Sequence, residues 1–382
     1  MAGIRKKTRK TRVSRGDSDR IAGEAELPVT SAAGEITELA GLADTLGLFI
    51  VGTETVIVRD ENPRYGMGTG KARELADKAR AAKAECIIFD RELNPSRQRK
   101  WEELSGLVVL DRQELIIRIF ASRARTREAE LQAELAELLY ALPRLSHKYI
   151  DLSRQRGGRY GTRGAGETRL ETDRRRIRQR IGFLEEEIEE IRRSRKLQRK
   201  QREKTGTPVC ALVGYTNAGK SSLHRALTGS DVFVEDKLFA TLEPTSRRVS
   251  RLSPAGVRKN IVFIDTVGFI RRLPHNLVTA FRATLEEAAQ ADILIHVLDA
   301  ADPDLKNHHE TVLEVLRELG AGEIPLITVL NKADLLTPDQ MASLEAELLA
   351  FPGSDGEYAT VSAKNREGLE SLWKLIEKKL KF

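Results

Sequence analysis

The sequence predicts an α/β chain: a mostly parallel sheet with one antiparallel edge, preceded by a small α/β domain and a long antiparallel helical hairpin. Three observations predict it. Residues 206–382 alternate short apolar runs with helix-length segments, the pattern of strands joined through crossover helices. Residues 112–205 carry Leu and Ile at heptad spacing on two long polar segments. Residues 21–111 repeat the strand and helix alternation on a smaller scale. A length of 382 residues fits two or three domains with cores of ordinary size.

The elements follow in order. Residues 1–20 are polar and basic and are expected to be a flexible tail. In the small domain, 21–111, Leu48–Val58 reads as strand, Lys71–Ala84 as helix and Cys86–Phe89 as strand. Pro95–Leu104 then reads as helix and Leu107–Leu110 as strand. In 112–205, Leu131, Leu135, Leu138 and Leu142 mark one seam, and Ile177, Ile181, Leu184, Ile188 and Ile191 the other. The two helices are expected to zip together antiparallel, with Pro143 kinking or ending the first. From 206 to 382 the strand candidates are Val209–Val213, Arg247–Leu252, Asn260–Asp265, Ile293–Asp299, Leu326–Asn331 and Tyr358–Ser362. The second and third are close enough to form a hairpin, which supplies the antiparallel edge.

Composition narrows the function. Hydrophobic residues make up 40% and charged residues 32%, which excludes disorder throughout. Apolar runs such as Ile293–Leu298 fall far short of the roughly 20 residues that cross a bilayer, so no membrane span is expected. The basic N-terminus lacks the apolar core of a secretory signal. Cys86 and Cys210 form neither a disulfide framework nor a metal cluster, which fits a reducing, cytoplasmic compartment. The net charge of +7 is uneven: 141–207 holds 20 Lys/Arg against 10 Asp/Glu, whereas 208–382 holds 20 against 24. A basic block between acidic bodies reads as a polyanion-binding element.

The two helices are joined by a tip, 154–169, with five glycines, five arginines and Tyr160. Glycine lets backbone approach a surface closely; arginine contacts phosphate in bidentate fashion and stacks on bases. Arg156, Arg159, Arg163 and Arg169 are the candidate RNA contacts. A floppy connector is the plainer alternative.

Four motifs carry chemistry. Gly214, Tyr215, Thr216, Asn217, Ala218, Gly219, Lys220 and Ser221, with Ser222 following, form a complete G-x-x-x-x-G-K-S loop after an apolar strand and before a helix. Its N–H groups can curl around a β-phosphate, Lys220 supplies charge, and the Ser221 hydroxyl can ligate Mg²⁺. Asp265, Thr266, Val267 and Gly268 end an apolar strand some 45 residues on; Asp265 would hold Mg²⁺ through water, and the Gly268 N–H would reach the γ-phosphate. Asn331, Lys332, Ala333 and Asp334 end another strand. The Asp334 carboxylate accepts from guanine N1–H and N2–H₂, and adenine would leave it unsatisfied. Ser362, Ala363 and Lys364 would place the Ala363 N–H at guanine O6. The order of the four identifies a GTP- or GDP-binding domain, and it closely resembles the translation-factor class of P-loop GTPases.

The first switch is Phe239, Ala240, Thr241, Leu242 and Glu243. Thr241 is the choice for the second Mg²⁺ hydroxyl; Thr245 and Ser246 are its rivals. Phe269 stands where many GTPases carry a water-orienting glutamine, so slow basal hydrolysis is expected. Asn217 could ligate a monovalent cation such as K⁺ near the β- and γ-phosphates; a structural loop asparagine fits equally. His308–His309 lacks a third metal ligand, and His296 lies in an apolar strand, where packing is expected. Gly66–Lys71 misses the phosphate-loop spacing and reads as a glycine-rich lead into a helix.

Gly214–Ser222, Leu238–Thr245 and the run Asp265–His275 resemble the HflX family of GTPases, as do Asn62–Lys71 and Gly157–Arg169. The resemblance covers roughly 25–382. It implies GTP hydrolysis coupled to binding the large (50S) ribosomal subunit, and dissociation of stalled or idle ribosomes, with the arm reaching toward the peptidyl-transferase region. Some members carry an extra C-terminal domain; little follows the final helix here, so that domain is expected to be absent. The chain is expected to be a monomer. The alternative is a GTPase switch whose arm binds a protein effector rather than ribosomal RNA.

Overall fold

The computed structural model describes residues 2–6, 30–58, 60–145, 163–204, 206–229, 238–239, 241, 244–252, 256, 258–272, 288–348 and 357–380. The chain divides into two compact units, 1–119 with 139–178, and 120–138 with 179–382.

The first unit holds a four-stranded sheet in the order β2-β1-β3-β4, made of β1 (Ala2–Lys6), β2 (Glu54–Val58), β3 (Cys86–Phe89) and β4 (Val108–Asp111). All its pairings are parallel. Three helices connect it: α1 (Thr30–Thr45), α2 (Thr69–Ala81) and α3 (Pro95–Ser105). The α3 boundaries follow local chemistry. Asn94 Oδ1 accepts from the Arg97 N–H at 2.7 Å, Pro95 opens the first turn, and Gly106 closes it in the left-handed region at φ +69°. Trp101, Phe89, Tyr65 and Met67 pack the core.

Two expectations are corrected here. Residues 2–6 of the supposedly flexible tail form a strand between β2 and β3, because the backbone groups of Ala2–Lys6 find partners along the whole of β2. The strand foreseen over Leu48–Val58 is confined to Glu54–Val58, the stretch that pairs with β1.

The helical region starts with α4 (Arg112–Arg123), α5 (Arg127–Ala141) and α6 (Arg163–Lys204). The expected single first helix is broken at 124–126, where the Thr126 hydroxyl accepts from the Ala129 N–H at 3.3 Å and restarts the chain as a cap. Within the second unit, Arg127 pairs with Glu187 at 3.0 Å and Arg180 with Glu134 at 2.7 Å, so rising numbers on α5 meet falling numbers on α6. That is the antiparallel zip. Leu131, Leu135, Ile181, Leu184 and Ile188 are buried along it. α6 begins at Arg163, so 163–169 is helical rather than loop; a helix already seamed behind it extends at one hydrogen bond per residue.

The second unit carries a six-stranded sheet ordered β10-β9-β8-β5-β7-β6. Its strands are β5 (Val209–Gly214), β6 (Thr245–Leu252), β7 (Arg258–Asp265), β8 (Ile293–Asp299), β9 (Leu326–Asn331) and β10 (Tyr358–Thr360). Only β6 runs antiparallel, against β7. The helices are α7 (Lys220–Thr228), α8 (Leu305–Glu318), α9 (Pro338–Leu348) and α10 (Leu369–Leu380). One face of the sheet packs Leu223, Phe263, Leu372 and Trp373; the other packs Phe269, Val312 and Leu316. β5 and β8 are buried on both faces, which is why their sequences read as unbroken apolar runs.

Candidate functional site

In an open parallel sheet, ligands sit beyond the carboxyl ends of the strands, and the motif residues lie there. β5 ends in the loop that opens α7. Lys220 is buried, with its ammonium donating to the Tyr215 carbonyl at 2.8 Å. Burial pushes its pKa down to about 8, and the Asp265 charge pulls the other way. A phosphate beside it would favour the charged form further. Gly219 caps α7 at φ +89°, and a Cβ there would run into Asn331 Nδ2; glycine alone keeps this loop both curled and close to the base-reading strand.

Three elements then bring oxygen ligands together. Ser221 Oγ, from α7, donates to Asp265 Oδ2, from the end of β7, at 2.7 Å. Thr241 Oγ1 reaches the same Oδ2 at 3.0 Å and Ser221 Oγ at 2.5 Å. Asp265 is fully buried, and its Oδ1 has no partner among the described residues. Two hydroxyls and a carboxylate crowded this closely, with one buried carboxylate oxygen unspent, suit a hard cation that takes oxygen ligands. The donor set fits Mg²⁺. Of the rivals to Thr241, Thr245 and Ser246 lie on β6, and the Thr245 hydroxyl has no hydrogen bond among the described residues.

Gly268 follows Asp265, Thr266 and Val267. Thr266 donates to the Leu212 carbonyl at 2.6 Å, and Val267 is buried. A Cβ on Gly268 would lie 2.7 Å from Thr216 Cα and 2.9 Å from Lys220 Nζ, so the backbone passes directly over the phosphate loop. The Phe269 N–H donates to the Gly214 carbonyl at 3.0 Å, and the Phe269 carbonyl accepts from the Thr216 N–H at 2.7 Å. The Phe269 ring points into the core and offers nothing to an attacking water.

The residues expected to read the base are equally tied. Asn331 Nδ2 donates to the Ala218 carbonyl at 2.9 Å, and Asn331 Oδ1 accepts from the Ala363 N–H at 3.1 Å. Asp334 Oδ1 accepts from Ser362 Oγ at 2.6 Å, which fixes the carboxylate. Lys332 adopts φ +64° and pairs with Asp299 at 2.7 Å; the Ala333 N–H donates to the Val361 carbonyl at 3.2 Å. Ser222 is half-buried, and Asn217 (φ +62°) and Lys364 are exposed.

Sequence reasoning missed two sets of neighbours. The Tyr215 ring stacks on His308 with centroids 3.6 Å apart, and its hydroxyl accepts from the Arg271 N–H at 2.8 Å. The Arg271 guanidinium reaches Asp304 at 2.9 Å and His308 Nε2 at 3.3 Å. Phe239 is buried, its N–H donating to Thr216 Oγ1 at 2.9 Å, and it touches Phe120 and Arg123. Neither set has a sequence signature, since each joins residues far apart in the chain. Ala240, Leu242, Glu243, Arg156 and Arg159 lie outside the described residues; Arg163 and Arg169 lie on α6.

Family models match in three consecutive stretches: "GTP-binding GTPase N-terminal" over 33–121, "GTP-binding GTPase Middle Region" over 123–202 and "50S ribosome-binding GTPase" over 209–332. GTPase HflX of Akkermansia muciniphila is 46% identical, covering 88% of this chain and 78% of that protein. GTPase HflX of Escherichia coli is 44% identical, over 79% of this chain and 70% of that protein. A solved GTP-binding protein from Sulfolobus solfataricus in complex with GDP is 25% identical, covering 90% of this chain and 95% of that one, with a TM-score of 0.46. With this identity to relatives over most of its length, and with the phosphate-loop sequence and an oxygen cluster gathered beyond the carboxyl ends of the strands, the chain belongs to the HflX family of GTPases, which bind and hydrolyse GTP.

Proposed function

We propose that this GTPase associates with the large (50S) ribosomal subunit through its helical arm and couples GTP hydrolysis to separating stalled or idle ribosomes. The observation that carries the reading is charge: the arm segment 141–207 has 20 Lys/Arg against 10 Asp/Glu, while the GTPase segment 208–382 is net acidic. Ribosomal RNA is the polyanion such a block suits. The family description "50S ribosome-binding GTPase" over 209–332 supports the same partner.

The parts divide the work as a small α/β domain at 21–111, an arm at 112–205 with its tip at 154–169, and a G domain at 206–382. Lys220 holds the β- and γ-phosphate oxygens, and Gly268 presents its N–H to the γ-phosphate as Thr241 closes over it. Asn331, Lys332, Asp334 and Ala363 select guanine. Ser221, Thr241 and Asp265 would hold Mg²⁺, which would neutralise charge on the phosphates. Asn217, exposed on the loop, is the residue that would supply an oxygen to K⁺ if one binds there; a purely structural loop role fits it equally. No described helix is long and apolar enough to cross a membrane; the working compartment is the cytoplasm, where ribosomes are.

The test is co-sedimentation with purified large subunits over a salt series. The protein should travel with the subunit at low salt and leave it at high salt, with a log–log slope that flattens in Arg156→Ala/Arg159→Ala/Arg163→Ala/Arg169→Ala. Unchanged binding and slope in that variant would remove the tip from the interface and favour a protein effector.

A further inference from the structure

We propose that Arg123 and Phe120 are positioning residues for GTP hydrolysis: they hold the first switch by Phe239, so that Thr241 is delivered to Ser221 and Asp265. Phe239 is the anchor. It is 1% exposed and sits at φ +55°, a strained conformation for a bulky residue that persists only when its surroundings enforce it.

The enforcing contacts come from both sides. Toward the phosphate loop, the Phe239 N–H donates to Thr216 Oγ1 at 2.9 Å. Toward the arm, the Phe239 carbonyl accepts from Arg123 Nη1 at 2.5 Å, and its ring lies against Phe120 with centroids 4.9 Å apart and planes tilted by 55°. Arg123 is the last residue of α4, one short turn before α5 zips onto α6. Thr241 follows two residues after Phe239, too short a tether to move freely once Phe239 is pinned. The arm's base therefore shares a side-chain contact with the residue that sets the switch. This goes beyond the family activity, and only its link to a ribosomal partner rests on the proposal above.

The test uses the full chain with no ribosomes present. Affinities for a non-hydrolysable GTP analogue and for GDP are measured with Mg²⁺, beside the single-turnover hydrolysis rate. Arg123→Ala should weaken the GTP analogue by roughly tenfold, the size of one lost hydrogen bond to a charged donor, slow hydrolysis, and leave GDP within about twofold, because only the triphosphate needs Thr241 in place. Arg123→Lys, which keeps a donor, should recover part of the loss. Phe120→Leu, which keeps bulk without the ring contact, should show the same GTP-selective pattern and carries the test if Arg123→Ala does not fold. In a double-mutant cycle, Arg123→Ala/Thr241→Ala should be no weaker for the GTP analogue than Thr241→Ala alone. Equal losses for GTP analogue and GDP, additive losses in the cycle, or unchanged GTP binding in a folded variant would each overturn the proposal. None of these outcomes bears on subunit binding, which is read by sedimentation; failure there leaves this contact standing.

Discussion

In the proposed reading, base choice turns on Asp334. One of its oxygens is held by Ser362 at 2.6 Å, so the carboxylate is oriented before any base arrives. Asp334→Asn replaces two acceptors with an acceptor and a donor, and preference should move from GTP toward xanthosine triphosphate by a few kcal/mol, about the size of a lost charged hydrogen-bond pair. Competition binding with the two nucleotides reads this directly; a wild-type protein that binds ATP as tightly as GTP would contradict it. Thr241 is proposed to govern the switch in the same local way. Thr241→Ala should weaken Mg²⁺-dependent GTP binding more than GDP binding, measured by titration calorimetry, and equal losses would place the wrong threonine at the metal. Both residues were legible in the sequence because the motifs that contain them are short and local. The grip of Arg123 on Phe239 was not: its partners are 116 positions apart, and no spacing rule connects them.

At the scale of elements, the hairpin is held by its apolar seam rather than by its surface pairs. Leu184 is fully buried, so Leu184→Ala should cost about 2–5 kcal/mol through lost burial and a cavity. Arg180→Ala should lower the melting temperature far less, since Arg180 and Glu134 are only half-buried and their two-point pairing stays open to solvent. Comparable losses in the two variants would contradict this ranking. The heptads were readable because they repeat along each helix. The break at 124–126 was harder to see, since it uses neither Gly nor Pro, only the Thr126 cap. β1 was missed for a related reason. Its residues, Ala2–Lys6, have a basic sequence, and the strand exists through its backbone pairing with β2.

β8 carries a second consequence. His296 is fully buried at ring distance from His309, centroids 5.0 Å apart, and neither of its nitrogens hydrogen-bonds among the described residues. Burial above all, then the neighbouring His309 and Lys220 charges, holds its pKa well below the ordinary 6.5. The folded state therefore stays unprotonated where the unfolded chain takes up a proton. Stability is full above about pH 6.5 and falls as pH drops below it, until the depressed folded value is reached. In urea titrations, the stability of wild type relative to His296→Leu should decline progressively below that pH; a pH-independent difference would contradict the assignment.

For the whole molecule, alternation and periodicity, which record burial, are enough to read the mostly parallel sheet of 206–382, the small α/β domain before it and the hairpin between them. Their tertiary contacts record nothing in the sequence until the chain is folded, and the links from the arm's base to the switch are of that kind. The proposed function joins two features: a basic arm suited to the large subunit, and a G domain with Phe269, its ring spent in the core, where a water-orienting glutamine is common. In the proposed reading, such a site depends on the large subunit to order the switches. α6 alone spans 42 residues, about 63 Å at helical rise, so changes at its N-terminal tip should not disturb nucleotide affinity directly. The most direct measurement is the GTP hydrolysis rate of wild type and of Arg156→Ala/Arg159→Ala/Arg163→Ala/Arg169→Ala, with and without purified large subunits. The account predicts a slow basal rate in both, strong stimulation of wild type by the subunit, and loss of that stimulation in the variant at unchanged GTP affinity. Large subunits that leave the wild-type rate unchanged, or that stimulate the variant fully, would contradict it.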